Sequence, residues 1–193
     1  MVEHVETNSV ATGSGTNAST TTTNGSPTSP AASTKTFSTH PHLFLVHSSP
    51  NFQSKMTATT HFTPNTVLLS FADTMTPVPK PSYTTVQIST TEHIELNSNL
   101  VYLNHSCDPS CVIDTVKKEV RVVREVREGE ELTFFYPSSE WDMDQAFDCW
   151  CGSEKCLKRI QGAKYLTVDQ LQHHYLNNHI IELITASLHG LPR

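Results

Sequence analysis

A mostly β fold of the α+β class is predicted by three observations. Short apolar or β-branched runs recur between residues 43 and 136, with turn residues between them. One amphipathic segment follows near the end of the chain. Between the two lies a tight cluster of cysteines, a local clasp where the strand pattern stops.

Taken in order, the elements begin with a tail. Residues 1–40 are dominated by Thr, Ser, Asn, Gly and Pro, as in Thr20-Thr21-Thr22-Thr23-Asn24-Gly25-Ser26-Pro27. Such a segment has almost no apolar area to offset the entropy of ordering it, so disorder is expected. Order is expected from the strand-like run Leu43-Phe44-Leu45-Val46. A second strand, Thr66-Val67-Leu68-Leu69-Ser70-Phe71, follows the turn-like Thr63-Pro64-Asn65. Pro77, Pro79 and Pro81 are expected to break regular structure. Thr84-Thr85-Val86-Gln87-Ile88-Ser89 then reads as a strand because β-branched side chains fit a pleated surface. Cys111-Val112-Ile113-Asp114-Thr115-Val116 and Glu119-Val120-Arg121-Val122-Val123-Arg124 suggest an antiparallel hairpin, although no Gly or Asn marks its turn. Gly129 sits in a polar turn before the strand Leu132-Thr133-Phe134-Phe135-Tyr136. Thr167 and Gln170 fit a capping box, and apolar residues at 168, 171, 175, 176, 180, 184 and 188 predict one helix over 167–189. Its apolar face is expected to pack on the β domain.

Bulk composition narrows the function classes. The chain has 193 residues, enough for one domain and a tail, and only 36% of them are hydrophobic. Net charge is −6 and the Lys and Arg residues are scattered. Direct nucleic-acid binding is therefore not expected, since it needs clustered cations to displace phosphate counterions. No run approaches the ~20 apolar residues of a membrane-spanning helix, so no membrane role is expected. The first residues, Met1-Val2-Glu3-His4, lack the positive flank and apolar block of a secretory signal. An intracellular location follows, nuclear or cytoplasmic being unresolved. In that reducing setting the five cysteines favour metal ligation over disulfides, and an odd number cannot pair completely.

The chemistry concentrates in Cys149-Trp150-Cys151-Gly152-Ser153-Glu154-Lys155-Cys156. Three thiols within eight residues, with a Gly where the chain turns, converge readily on one zinc ion, and a closed structural site needs a fourth ligand. Cys107 and Cys111 are the candidates. Zinc binding would keep the thiols deprotonated and couple metal loading to folding.

Three segments in this order carry a family resemblance. Asn104-His105-Ser106-Cys107-Asp108-Pro109-Ser110, then Gly129-Glu130-Glu131-Leu132-Thr133-Phe134-Phe135-Tyr136, then the cysteine cluster, resemble the signatures of SET-domain protein-lysine methyltransferases with a post-SET zinc motif. The resemblance covers roughly residues 43–165 and is strong from about 99. It is especially similar to small fungal SET proteins, which also continue with Pro-Ser-(Ser/Thr)-Glu-Trp-Asp-Met. It implies a SET-like domain over 43–138, with a knot-like C-terminal segment, and a post-SET zinc loop over 139–165. Cys107 then joins Cys149, Cys151 and Cys156 around the zinc. Asn104 and His105 match the pair that contacts S-adenosyl-L-methionine, and Trp150 and Leu157 lie in the loop that covers its adenine side. Tyr136 matches the active-site tyrosine, and Phe134 the position that influences how many methyl groups are added. The implied activity is methyl transfer to a lysine of a protein or peptide.

Those residue types suit that chemistry. Only a neutral amine has a lone pair for in-line attack on a sulfonium methyl, whereas lysine in water has a pKa near ~10.4. Aromatic walls disfavour the ammonium and align the nucleophile. Alternation along a strand prevents Phe134, Phe135 and Tyr136 from all facing one channel.

The family's Gly-x-Gly segment corresponds here to Gln53-Ser54-Lys55, with neither glycine. Side chains there are expected to crowd the methionine end of the cofactor. This sets a second expectation: a catalytically silent SET-like module that keeps the zinc clasp and binds a protein. Of the remaining residues, Glu128, Glu130 and Glu131 are expected to be a solvated charge run, His173, His174 and His179 to be mostly solvated, Cys111 to be a small core residue, and Trp141 to anchor the connection to the zinc loop.

Overall fold

The computed structural model describes residues 34–49 and 53–190. The expected disordered stretch over residues 1–33 lies outside them. Among residues 34–40 the tail reading is replaced by a strand, β1 (Lys35–Phe37), which pairs antiparallel with β2 (Phe44–Ser48). The other edge of β2 pairs with β3 (Lys55–Ala58), which gives a three-stranded sheet. β1 is exposed along its length, and its partner's ladder supplies what its composition lacks.

β4 (Val67–Ser70) opens the central sheet. Next come β5 (Thr76–Val78), β6 (Thr85–Gln87) and β7 (His93–Glu95), a separate sheet in the order β5-β7-β6. Pro77 does not break β5, contrary to expectation. β5 is an edge strand, so a residue without an N–H is tolerated there.

The central sheet continues with β8 (Asn104–His105), β9 (Cys111–Asp114), β10 (Glu119–Val122) and β11 (Thr133–Phe134). Its strand order is β4-β10-β9-β11-β8. The β9–β10 hairpin is antiparallel as expected. Its turn is organised by Asp114, whose Oδ1 accepts from the N–H groups of Val116 and Lys117 at 3.1 and 2.9 Å. Lys118 takes the left-handed conformation (φ 58°) where Gly or Asn is usual. β9 is buried at all four residues and β10 at alternate ones, matching a central strand beside a half-covered one. β11 runs parallel to both its neighbours, between β8 and β9, so the segment carrying Tyr136 is threaded beside Asn104-His105.

β12 (Phe147–Asp148) and β13 (Arg159–Ile160) form a small hairpin that closes the cysteine loop. The expected single C-terminal helix is instead two: α1 (Val168–Leu171) and α2 (Asn178–Leu188). The Thr167–Gln170 capping box is present at the start of α1. Asn177 ends the continuity. Its backbone is extended and its buried side chain accepts from Thr115 N–H (2.9 Å) and donates to the carbonyls of Ile113 (2.9 Å) and Ser138 (3.0 Å). Three tertiary bonds outweigh one more helical turn.

The main core lies under the sheets and includes Phe44, Val46, Met56, Leu68, Phe71, Ile94, Ile113 and Leu132. A second cluster joins α1 and α2 to Phe135 and Trp141. A third, small one is built on Cys107, Cys149 and Ile160.

Candidate active site

β8 and β11 place the first two motifs side by side, with Thr133 opposite Asn104 and Phe134 opposite His105. Asn104 Nδ2 donates to the Ser54 carbonyl at 2.8 Å and to Glu131 Oε1 at 2.9 Å. One side chain thus joins Gln53-Ser54-Lys55, Asn104-His105 and the Gly129–Tyr136 motif. Gln53 and Lys55 themselves are exposed. β3 is held to the same place through Leu132 N–H to the Met56 carbonyl (2.9 Å) and Ala58 N–H to the Glu130 carbonyl (2.9 Å).

Tyr136 follows β11 directly. Its hydroxyl donates to the Leu103 carbonyl at 3.0 Å. Burial, with the carboxylates of Glu131 and Glu140, holds its phenol well above the usual range, so it is a neutral hydroxyl. Phe134 lies 4.7 Å from the Tyr136 ring, and His105 and Phe147 approach it edge-on at 5.3 and 5.9 Å. Phe135 points the other way, as strand alternation requires, and stacks on His174 at 3.7 Å. His105 is buried, and desolvation, reinforced by His174, drops its pKa to about 3. It is a neutral imidazole.

The cysteine loop reaches this cluster through its hairpin. Phe147 opposite Ile160 and Asp148 opposite Arg159 bring the ends of the loop together, and Gly152 turns inside it with φ 74°. The Sγ atoms of Cys107, Cys149, Cys151 and Cys156 all lie within 4.8 Å of one another, and Cys107 and Cys149 are 3.9 Å apart. A Zn–S bond of ~2.3 Å gives a tetrahedron with edges of roughly 3.8 Å, so the donor set fits zinc with small adjustment. Cys111 stands apart, fully buried, its thiol pushed up to about 12 by desolvation. Of the two sequence candidates, Cys107 is the one that joins the cluster. Burial raises Cys107 to about 11. At Cys151 burial is outweighed by N–H donors from Cys107 and Ser153 and by the Cys149 and Cys156 thiols, which bring it to about 7.

A cleft of about 350 Å³ opens beside the clasp, lined by His105, Ser106, Glu131, Thr133, Cys151 and Gly152 among others. Leu157 is half-buried between the second and third clusters. Trp150 is 91% exposed and does not line the cleft.

Several residues escaped sequence reasoning. Glu130 and Glu131 are not simply solvated: Glu130 pairs with Arg124, Glu131 with Asn104, and both line the cleft. Two of the three helix-region histidines are likewise engaged, His174 on Phe135 and His179 Nε2 with the Ser139 carbonyl at 2.8 Å. Phe147 carried no signal beyond being one aromatic near the cysteines. Trp141 is an anchor, buried among Phe135, Ala163 and Leu171. Gly162 packs so closely on its backbone (φ 116°) that a Cβ would lie 2.4 Å from the Trp141 carbonyl oxygen.

A strand threaded between two parallel neighbours, with a four-thiol clasp folded onto its aromatic end, defines a SET-type fold. The SET domain family matches residues 14–137, and the chain belongs to that family. A methyltransferase of Aspergillus flavus, flvH, is 47% identical over 125 residues, which are 64% of this chain and 70% of the relative. An H3 lysine-4-specific histone-lysine N-methyltransferase of Emericella nidulans is 36% identical over 62 residues, 28% of this chain but only 5% of that protein. Among solved structures, the methyltransferase domain of human SETMAR is similar at 12% identity and a TM-score of 0.42, over 56% of this chain and 54% of that one. KRYPTONITE in complex with mCHH DNA, H3(1-15) peptide and SAH is similar at 18% identity and a TM-score of 0.43, over 59% of this chain and 28% of that one. No helix among the described residues is long and apolar enough to cross a membrane.

Proposed function

We propose that this chain transfers a methyl group from S-adenosyl-L-methionine to a lysine side chain of a protein or peptide. The observation that carries the reading is the convergence of three motifs distant in sequence. His105 packs on Tyr136 and lies beside Cys107 of the four-cysteine cluster, and His105 and Cys151 both line the cleft. Membership of the SET family and the methyltransferase relative support the reaction class; the lysine substrate is the finer step.

The cofactor would supply an electrophilic sulfonium methyl group. In our reading the cleft beside His105 and Glu131 receives it, with the Asn104 and His105 backbone as its polar edge. Cys107, Cys149, Cys151 and Cys156 would hold zinc, which fixes the loop that carries Leu157 and Trp150. Tyr136 donates its hydroxyl hydrogen bond to the Leu103 carbonyl, so its oxygen lone pairs remain as acceptors for an amine N–H. It acts by orientation, because its raised pKa excludes it as the anionic base at neutral pH. Phe134 and Phe147 exclude water from the amine and so favour its neutral form.

A second reading, a silent SET-like module acting through protein binding, is favoured by the absence of glycine at Gln53-Ser54-Lys55. Calorimetric titration of the zinc-loaded protein with S-adenosyl-L-methionine separates the two. Binding is expected; no heat at millimolar cofactor would defeat the enzyme reading. With a lysine-bearing H3 peptide as acceptor, Tyr136→Phe should lower turnover by at least ~100-fold while cofactor affinity holds, in line with one lost orienting group.

A further inference from the structure

The Tyr136 N–H lies just beyond the β8–β11 ladder, whose last pairing is Phe134 with His105. It donates instead to His105 Nδ1 at 3.1 Å. A neutral imidazole that accepts at Nδ1 carries its proton at Nε2. That Nε2 stands 3.3 Å from Cys107 Sγ, a hydrogen-bonding distance for sulfur. Cys107 also accepts from Leu157 N–H at 3.3 Å. The imidazole has little freedom to turn: it is buried, with Phe135 at 5.6 Å and Phe147 at 5.7 Å.

We propose that His105 is a positioning residue that joins the metal centre to the backbone of Tyr136. The inference rests on reading the four thiols as a zinc site. Metal binding turns Cys107 into a thiolate, a far better acceptor than a thiol, and so strengthens N–H···S at Nε2. The tautomer is fixed from that side, which leaves Nδ1 as an acceptor for the Tyr136 N–H. The position of the phenol therefore depends on whether the clasp is loaded. His105 thus has a role beyond cofactor contact, and Cys107, the ligand from the β domain, is the cysteine that its ring reaches.

The test needs neither cofactor nor methyl transfer, so its failure and that of the methyltransferase reading are distinguishable. Full-length wild type, His105→Gln and His105→Asn are loaded with cobalt(II), and the thiolate-to-cobalt absorption band is recorded. Gln places an N–H donor near the Nε2 position; Asn does not reach it. The band should stay in place for Gln and move to longer wavelength for Asn, because a thiolate without its donor gives up charge more easily. The Tyr136 amide resonance is then compared between zinc-loaded and cadmium-loaded protein. It should move on metal exchange in the wild type and stay fixed in both variants, each of which cuts one arm of the relay. Identical bands in all three proteins would overturn the proposal. A Tyr136 amide indifferent to the metal in wild type, or no cobalt uptake at all, would also overturn it.

Discussion

Glu140 shows how one buried side chain sets a pH dependence. It lies one turn beyond Tyr136, accepts from Gln87 N–H at 2.9 Å and Ser139 Oγ at 3.3 Å, and has His93 Nε2 at 3.9 Å. Trp141 N–H donates back to Gln87 Oε1 at 2.9 Å, so Gln87 is clasped at both ends and the β5-β7-β6 sheet is pinned to the segment after Tyr136. Burial, only partly offset by the Gln87 and Ser139 donors, raises the Glu140 pKa from 4.5 to about 7. Below about pH 4.5 both folded and unfolded states hold this proton. As pH rises to about 7 the unfolded state releases it first, so stability is lost across that window, by ~3 kcal/mol in all. His93 and His179 face the same pocket with lowered pKa values, burial being the main cause, and their effect runs the other way. Comparison with Glu140→Gln isolates the carboxyl, because the amide keeps the acceptor for Gln87. In urea titrations the variant's advantage over wild type should grow by ~3 kcal/mol between pH 4.5 and 8; a constant difference would remove Glu140 as the source. Glu140 itself was visible in the sequence only as part of the fungal-type continuation after Tyr136. Its burial could not be read, since its partners come from β6 and β7, some fifty residues earlier.

At the scale of elements, strands with apolar runs were legible and strands made by partners were not. β4, β6, β9, β10 and β11 all fall within runs that local composition marks, and β2 overlaps its run but continues to Ser48. β1 and β12–β13 have no such pattern and exist because a neighbour offers a ladder. Asn177 is the clearest instance of tertiary override. Apolar spacing continues through residues 171–184, yet the helix breaks there because Asn177 bonds β9, the turn after it and the Ser138 carbonyl. Asn177→Ala should therefore cost about 2–4 kcal/mol, as the Thr115 N–H and the Ile113 carbonyl lose its side chain, while the Ser138 carbonyl keeps the Asn177 backbone N–H. The neighbouring exposed Asn178→Ala should be close to neutral. Thermal denaturation of the two variants checks this, and equal melting temperatures would refute the role given to Asn177.

For the molecule as a whole, the clasp is what fastens the loop over residues 147–160 to the β core, whereas Gln87 and Asn177 hold the segments on either side of it. Its own cluster is small (Cys107, Cys149 and Ile160, with partly buried neighbours), whereas the main core is extensive and contains no ligand. Chelation should therefore loosen residues 147–160 first and leave most β structure in place. Limited proteolysis with and without a chelator would show new cuts in that loop, with far-ultraviolet dichroism little changed. Cys151→Ser should lose zinc content and melting temperature together; full metal occupancy would remove Cys151 from the ligand set.

Fold class, the order of the three motifs and the chemical type of the clasp were legible from local pattern, because strand periodicity and cysteine spacing are local properties. The sequence also narrowed the fourth thiol to two residues, and the family resemblance then chose Cys107. Which side chains share a surface follows from how the chain folds back on itself. The four sulfurs close up because the β12–β13 hairpin folds back on Cys107. Glu131 faces Asn104 because β11 threads beside β8. His105 meets Tyr136 and Cys107 at once because one buried ring has two nitrogens, pointing to segments thirty-one residues and two residues away. Contacts of that kind depend on long-range pairing, which no window of sequence contains.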